Sequence, residues 1–192
     1  QTVDTERGGY AMSEEFIVAQ AAPTLAGMKT GSLFGCPYWD KAALYADVRG
    51  WNRRLVPLGL CLLPLRFSGK RALLYLYRPD ALREDLNDGS ARVILEKAGY
   101  RSESSARCIT ELMRRLRMDG EFPHEIGLFL SYPPEDVRGF IENRAANYKF
   151  VGTWKVYGDV DKARETFKRY RDCTENYRTR QKAGSSIEQL AV

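Results

Sequence analysis

A chain of 192 residues fits one domain with room for a sizeable core. Its 44% hydrophobic and 29% charged content is ordinary for a globular protein, and no apolar run approaches the ~18 residues of a membrane helix. The net charge of +5 permits an acidic partner without requiring one.

Residues 1–11 are polar and aperiodic, and Met12 with Ser13-Glu14-Glu15 looks like a natural start. They read as a disordered leader or upstream remnant, which leaves 12–192 as a single α/β domain. No charged-then-apolar signal segment opens the chain. The cysteines, Cys36, Cys61, Cys108 and Cys173, form no CxxC pair. Free thiols in a reduced, cytoplasmic setting are expected.

Ser13 is placed to cap a helix carrying Phe16, Ile17 and Ala21, which Pro23 should end. Leu25 to Phe34 is punctuated by glycine and should hold a strand near one end. Gly27, Gly31 and Gly35 lie four apart, which is neither a dinucleotide fingerprint nor a Walker loop, so tight turns outweigh phosphate binding there. Asp40 to Val56 reads as a helix burying Leu44, Val48, Trp51 and Leu55. Leu60 to Phe67 and Arg71 to Tyr77, joined at Ser68-Gly69, read as a hairpin, with Pro64 marking an edge strand or a bulge. Three helical pieces follow. The first begins at Pro79-Asp80. The second runs from Ser90 to Ala98 and stops at Gly99. The third begins near Ser102, buries Ile109, Leu112, Met113 and Leu116, and ends at Asp119-Gly120.

The stretch from Phe122 to Ile141 reads as turn, buried strand, turn and helix. Ile126 to Leu130 is an unbroken apolar run of the kind that suits a strand covered on both faces, although a buried helical piece has the same pattern. Pro133 and Pro134 stop it and open a helix over 134–145 with Val137, Phe140 and Ile141 on one face. Val151 to Tyr157 alternates as a strand should, completing a β-α-β unit with a right-handed crossover. Asp159 to about Lys182 is a basic amphipathic helix with Val160, Ala163, Phe167, Tyr170 and Tyr177 inward, ended by Gly184 and followed by one more turn. The expected fold is therefore α/β with an α+β tendency. It has one mixed sheet of about four to five strands, with a hairpin and a β-α-β unit, flanked by helices.

Three blocks, APTLAGMK (22–29), FPHEIGLFLSYPPEDVRGFI (122–141) and GTWKVY (152–157), resemble those of the bacterial family catalogued as domain of unknown function 3793. The resemblance runs from Met12 onward. It implies a stand-alone cytoplasmic protein and transfers no activity, cofactor or catalytic residue.

His124 is the sole histidine and the natural acid–base or ligand candidate. A metal site needs several ligands and no second histidine exists, so none is assigned. A structural histidine at a sheet edge is the stronger reading. If 124 and 125 are extended, His124 and Glu125 point to opposite faces. A strand would also hold His124 on the order of 20 Å from Ser131, too far for His124 and Tyr132 to share one small site. Any polar site should instead gather Lys29, His124, Glu125 and Lys155. Cys36, in the loop-like Gly35-Cys36-Pro37-Tyr38, is a weaker nucleophile candidate. Arg169, Arg171 and Arg178 could form a polyanion stripe, but Asp161, Glu165, Asp172 and Glu175 break the field, so a solvated face is the stronger reading. The expectation is a binding or accessory protein for a small anion, a cofactor or a protein partner, with no membrane role. The alternatives are an enzyme whose cleft uses Lys29, His124, Glu125 or Cys36, and an RNA-binding module using the last helix.

Overall fold

The computed structural model describes residues 12–101, 104–118 and 121–192. The leader expected over 1–11, the start of a helix near Ser102 and its stop at Asp119-Gly120 lie outside the described residues. Three strands, β1 (Gly31–Pro37), β2 (Cys61–Ser68) and β3 (Arg71–Tyr77), form a sheet in the order β1-β3-β2, antiparallel throughout. The hairpin forms as expected, with Gly69 at φ 55 in its turn. β2 is an edge strand, and its register slips between Pro64 and Arg66 because proline cannot donate to the ladder. In consequence Leu65 and Phe67, two positions apart, pack on opposite faces.

One face carries α1 (Glu14–Leu25) and α2 (Lys41–Leu55). Ser13 and Asp40 cap them by accepting from the amides of Phe16 and Ala43. All four residues predicted to face inward from α2 are buried. Pro23 kinks α1 at Ala21 rather than ending it, and the helix continues to Leu25. Arg78 donates Nε and Nη2 to the carbonyls of Thr24 and Leu25 at 2.8 and 2.7 Å, beside the amides of Gly27 and Val192.

The opposite face packs α3 (Pro79–Asn87), α4 (Gly89–Lys97), α5 (Ser105–Arg117), α6 (Ile126–Phe129) and α7 (Pro134–Glu142). The apolar run at 126–130 is the helical turn α6, not a strand. The amides of Ile126, Leu128 and Leu130 return locally to the carbonyls of Pro123, Glu125 and Gly127. The run is apolar all round because it plugs into the core, and Phe129 is fully enclosed. Ser131, at φ 59, turns the chain away from it. With no strand there, no β-α-β unit and no parallel pair forms among the described residues.

Residues 151–157 are likewise not one strand. They fold into the small antiparallel hairpin of β4 (Phe150–Val151) and β5 (Lys155–Val156), closed by the amide of Gly152 donating to the Trp154 carbonyl at 3.0 Å. A Cβ on Gly152 would sit 2.3 Å from the Phe167 ring, so only glycine lets this turn approach its neighbouring helix. That helix, α8 (Val160–Lys182), is capped by Asp159, and α9 (Ile187–Leu190) opens with a Ser186/Gln189 capping box. Helices and antiparallel strands thus form a single mixed α+β domain.

Candidate functional site

Three concavities surround the sequence-singled residues. The first, about 630 Å³, lies between α4, the end of α5 and α7, and is lined by His124 and Glu125. Several of its polar groups are engaged with one another, while Lys97, Arg138 and Glu142 at its wall are exposed. Buried Glu125 accepts from the Tyr100 hydroxyl at 2.9 Å and faces Arg115 at 3.5 Å. Burial, and then the Glu125 carboxylate, push the Tyr100 phenol far up. Arg115 and Arg114 both clasp Glu111, whose carboxyl is held down at about 2, first by the Arg114 hydrogen bond. Half-buried His124 places Nε2 3.2 Å from Glu121 and its ring 4.9 Å from that of Phe140. These contacts make Glu125 a structural node.

The second concavity, about 450 Å³, is an aromatic cleft between α6, α7 and the β4–β5 hairpin. His124, Tyr132 and Lys155 all line it. The expectation that His124 and Tyr132 lie far apart is overturned, because the turn of α6 is much shorter than the strand assumed. Lys155 donates Nζ to the Ala145 carbonyl at 2.8 Å and lies 4.7 Å from the Tyr148 ring centre. Asp136 is buried, and its two oxygens accept from Trp154 Nε1, the Tyr157 amide and the Gly158 amide at 2.7, 2.7 and 2.8 Å. The Trp154 ring stacks on Tyr132 at 4.7 Å and meets Phe167 edge-on at 4.5 Å.

The third, about 610 Å³, is a basic groove between α1, the 29–32 segment, the Gly152-Thr153 turn and α8. Lys29, Arg171 and Arg178 line it, with Glu175, Thr153, Thr174 and Tyr170. Lys29 is positioned by its neighbour. The Thr30 amide donates to Ser131 Oγ at 2.6 Å and the Thr30 hydroxyl to Asp85 at 2.5 Å, which pins the segment to α3 and to the turn after α6. Lys29 Nζ lies 5.6 Å from the ring centre of Tyr132 and 6.0 Å from that of Tyr170. Burial pushes its ammonium down to about 8. Arg171, Thr174 and Arg178 follow i, i+3, i+7 spacing, so one face of α8 presents them together. Among the described residues, neither Lys29 nor either arginine has a carboxylate oxygen within 4.0 Å. Arg169 is exposed and does not line the groove.

The four residues expected to gather are therefore distributed. His124 with Glu125 lines the first concavity, His124 with Lys155 the second, and Lys29 the third. Lys29 instead lines the same groove as Arg171 and Arg178, which the sequence had placed in a separate stripe. Tyr132 and Tyr170 were not read as site residues; Tyr170 carried only the signal of a buried helix stripe. The placement of Cys36 is corrected too. It belongs to β1, is 3% exposed, and burial pushes its thiol up, so it is no accessible nucleophile. None of the three concavities is lined by Lys29 together with His124 or Glu125, and none by Cys36. No three His, Cys, Asp or Glu side chains among the described residues come together as metal ligands would. No helix among them is long and apolar enough to cross a membrane.

A family model described as protein of unknown function (DUF3793) matches residues 17–191. The chain belongs to that family. The match reaches from α1 to α9 and so includes the walls of all three concavities. No curated protein and no solved structure matches.

Proposed function

We propose that this protein binds a small anion in the groove between α1 and α8, through Lys29, Arg171 and Arg178. One observation carries the reading: three cations from opposite ends of the chain line one groove without an ion-pair partner among the described residues. Elsewhere on the same helix two cations are matched locally, Lys168 by Asp172 at 2.6 Å and Arg164 by Asp161 at 3.8 Å. Clustered like charges repel, and a bound anion relieves that repulsion. The planar guanidinium forks suit phosphate or carboxylate oxygens. The dispersal of Lys29, His124, Glu125 and Cys36 argues against an enzyme built on those four. A concave groove that excludes Arg169 favours a compact ligand over a strand of RNA.

Calorimetric titration with inorganic pyrophosphate and with citrate tests this. The wild type should bind at least one of them, more weakly as salt is raised. The combined Lys29→Met, Arg171→Gln, Arg178→Gln variant should lose at least about tenfold in affinity, the order of one charge-assisted contact, and still melt cooperatively. Binding of neither anion, or equal binding by the folded variant, overturns the proposal.

A further inference from the structure

We infer that the anion site continues into the adjoining aromatic cleft, so that the ligand is a planar aromatic molecule carrying a phosphate group. This rests on the reading above and extends it by the cleft. Gly152 and Thr153 line both concavities, so the two meet at one turn. Tyr132 links them from the other side. Its ring lines the cleft, while Lys29 Nζ sits 5.6 Å from the same ring on the groove side.

The two halves offer opposite chemistry. The cleft is walled by Ile126, Val137, Phe140 and the stacked Tyr132–Trp154 pair. The one carboxylate in that wall, Asp136, has both oxygens committed to protein donors. Trp154 Nε1 is spent on the same carboxylate. At the rim His124 faces Glu121 and Lys155 is bonded to the Ala145 carbonyl. Those walls therefore suit a flat apolar ring and give a charged group little to bind. The groove's cations have no ion-pair partner among the described residues, and the groove takes the charge. Lys29, Arg171 and Arg178 together match a multiply charged phosphate better than a single carboxylate. A volume of about 450 Å³ is within the range of small-ligand clefts.

Three probes separate the halves: pyrophosphate for the groove, adenosine for the cleft and ADP for both, each titrated calorimetrically. ADP should bind the wild type at least about tenfold tighter than pyrophosphate, with adenosine weakest. Val151 lines the cleft and not the groove, and at 52% exposure it has room for a larger side chain. Val151→Trp should remove the ADP advantage and leave pyrophosphate affinity unchanged. Phe140→Ala, at a half-buried cleft position, is the second variant and should reduce the advantage severalfold if Val151→Trp fails to fold. Equal binding of ADP and pyrophosphate by the wild type overturns the cleft extension and leaves the anion reading intact. So does an ADP advantage that survives in the folded cleft variants. ADP and pyrophosphate binding that both survive in the Lys29, Arg171, Arg178 variant would instead remove the anion reading itself.

Discussion

Among the groove residues, Lys29 is the one whose surroundings bring its titration towards neutral pH. Its ammonium titrates near 8 in the folded chain and near 10.5 when solvated, with burial as the cause. Tyr132 and Tyr170, whose rings flank it, are themselves raised by burial, Tyr170 to about 12, and stay neutral across that range. Arg171, Arg178 and Glu175 line the same groove, and Asp85 holds the adjoining Thr30. Between about pH 8 and 10.5 the unfolded chain keeps a proton on Lys29 that the folded chain has released. The unfolded state then binds more protons, so Lys29 makes stability rise with pH through this window. Below pH 8 both states are protonated and the full burial cost is present. Lys29→Met should therefore be stabilised over the wild type most at pH 7, with the gap narrowing towards pH 10.5. Urea unfolding at a series of pH values measures this, and parallel profiles for the two proteins would contradict it. Anion affinity should fall over the same rise in pH, because the groove loses a charge.

The β4–β5 hairpin depends on a side chain outside it. Its strands are two residues each, too short to stand alone. Asp136, in the first turn of α7, holds it through Trp154 Nε1 and the amides of Tyr157 and Gly158. Asp136→Ala would leave these donors, the indole buried and the two amides part-buried, without their acceptor. A loss of roughly 3 kcal/mol or more in urea unfolding is expected, at about 1–3 kcal/mol for each unsatisfied donor. Asp136→Asn should fall between, since its amide nitrogen cannot accept. A change under about 0.5 kcal/mol for the alanine variant, the range of an ordinary surface position, would show that water replaces the carboxylate. This hairpin also shows where sequence was legible. Long periodic elements with caps were: α2 and α8 begin at Asp40 and Asp159, and Pro64 marked the bulge. Short elements were not. Five apolar residues at 126–130 fit a strand or a buried turn equally, and Gly152 interrupts an alternation that otherwise reads as one strand. Lys29, Arg171 and Arg178 were each visible as candidates. Their meeting was not, because it depends on α1 packing against α8, a contact between the ends of the chain that no local pattern encodes.

Across the whole molecule, β3 binds the two large cores together. Ala72, Leu74 and Leu76 enter the core beneath α1 and α2, while Tyr75 and Tyr77 enter the one beneath α3–α7. Neighbouring residues of one central strand thus serve opposite layers, and Tyr75 adds a 2.6 Å hydrogen bond to the Phe129 carbonyl of α6. α8 extends this coupling, with Phe167 packed at the hairpin and Cys173 and Tyr177 in the first core. Neither layer can lose its packing without uncovering a face of β3, so the layers should unfold as one unit. The cysteines report on both: Cys36 and Cys173 lie in the first core, Cys108 in the second, and half-buried Cys61 packs against the second. All four are free, and burial raises every one of their thiols. In native buffer a thiol reagent should react slowly, with Cys61 first. In graded urea Cys36, Cys108 and Cys173 should become reactive at one midpoint, shared with the tryptophan fluorescence transition. Cys108 labelling at a lower urea concentration than Cys36 and Cys173 would show that the α3–α7 layer opens alone, and that β3 does not couple the two cores.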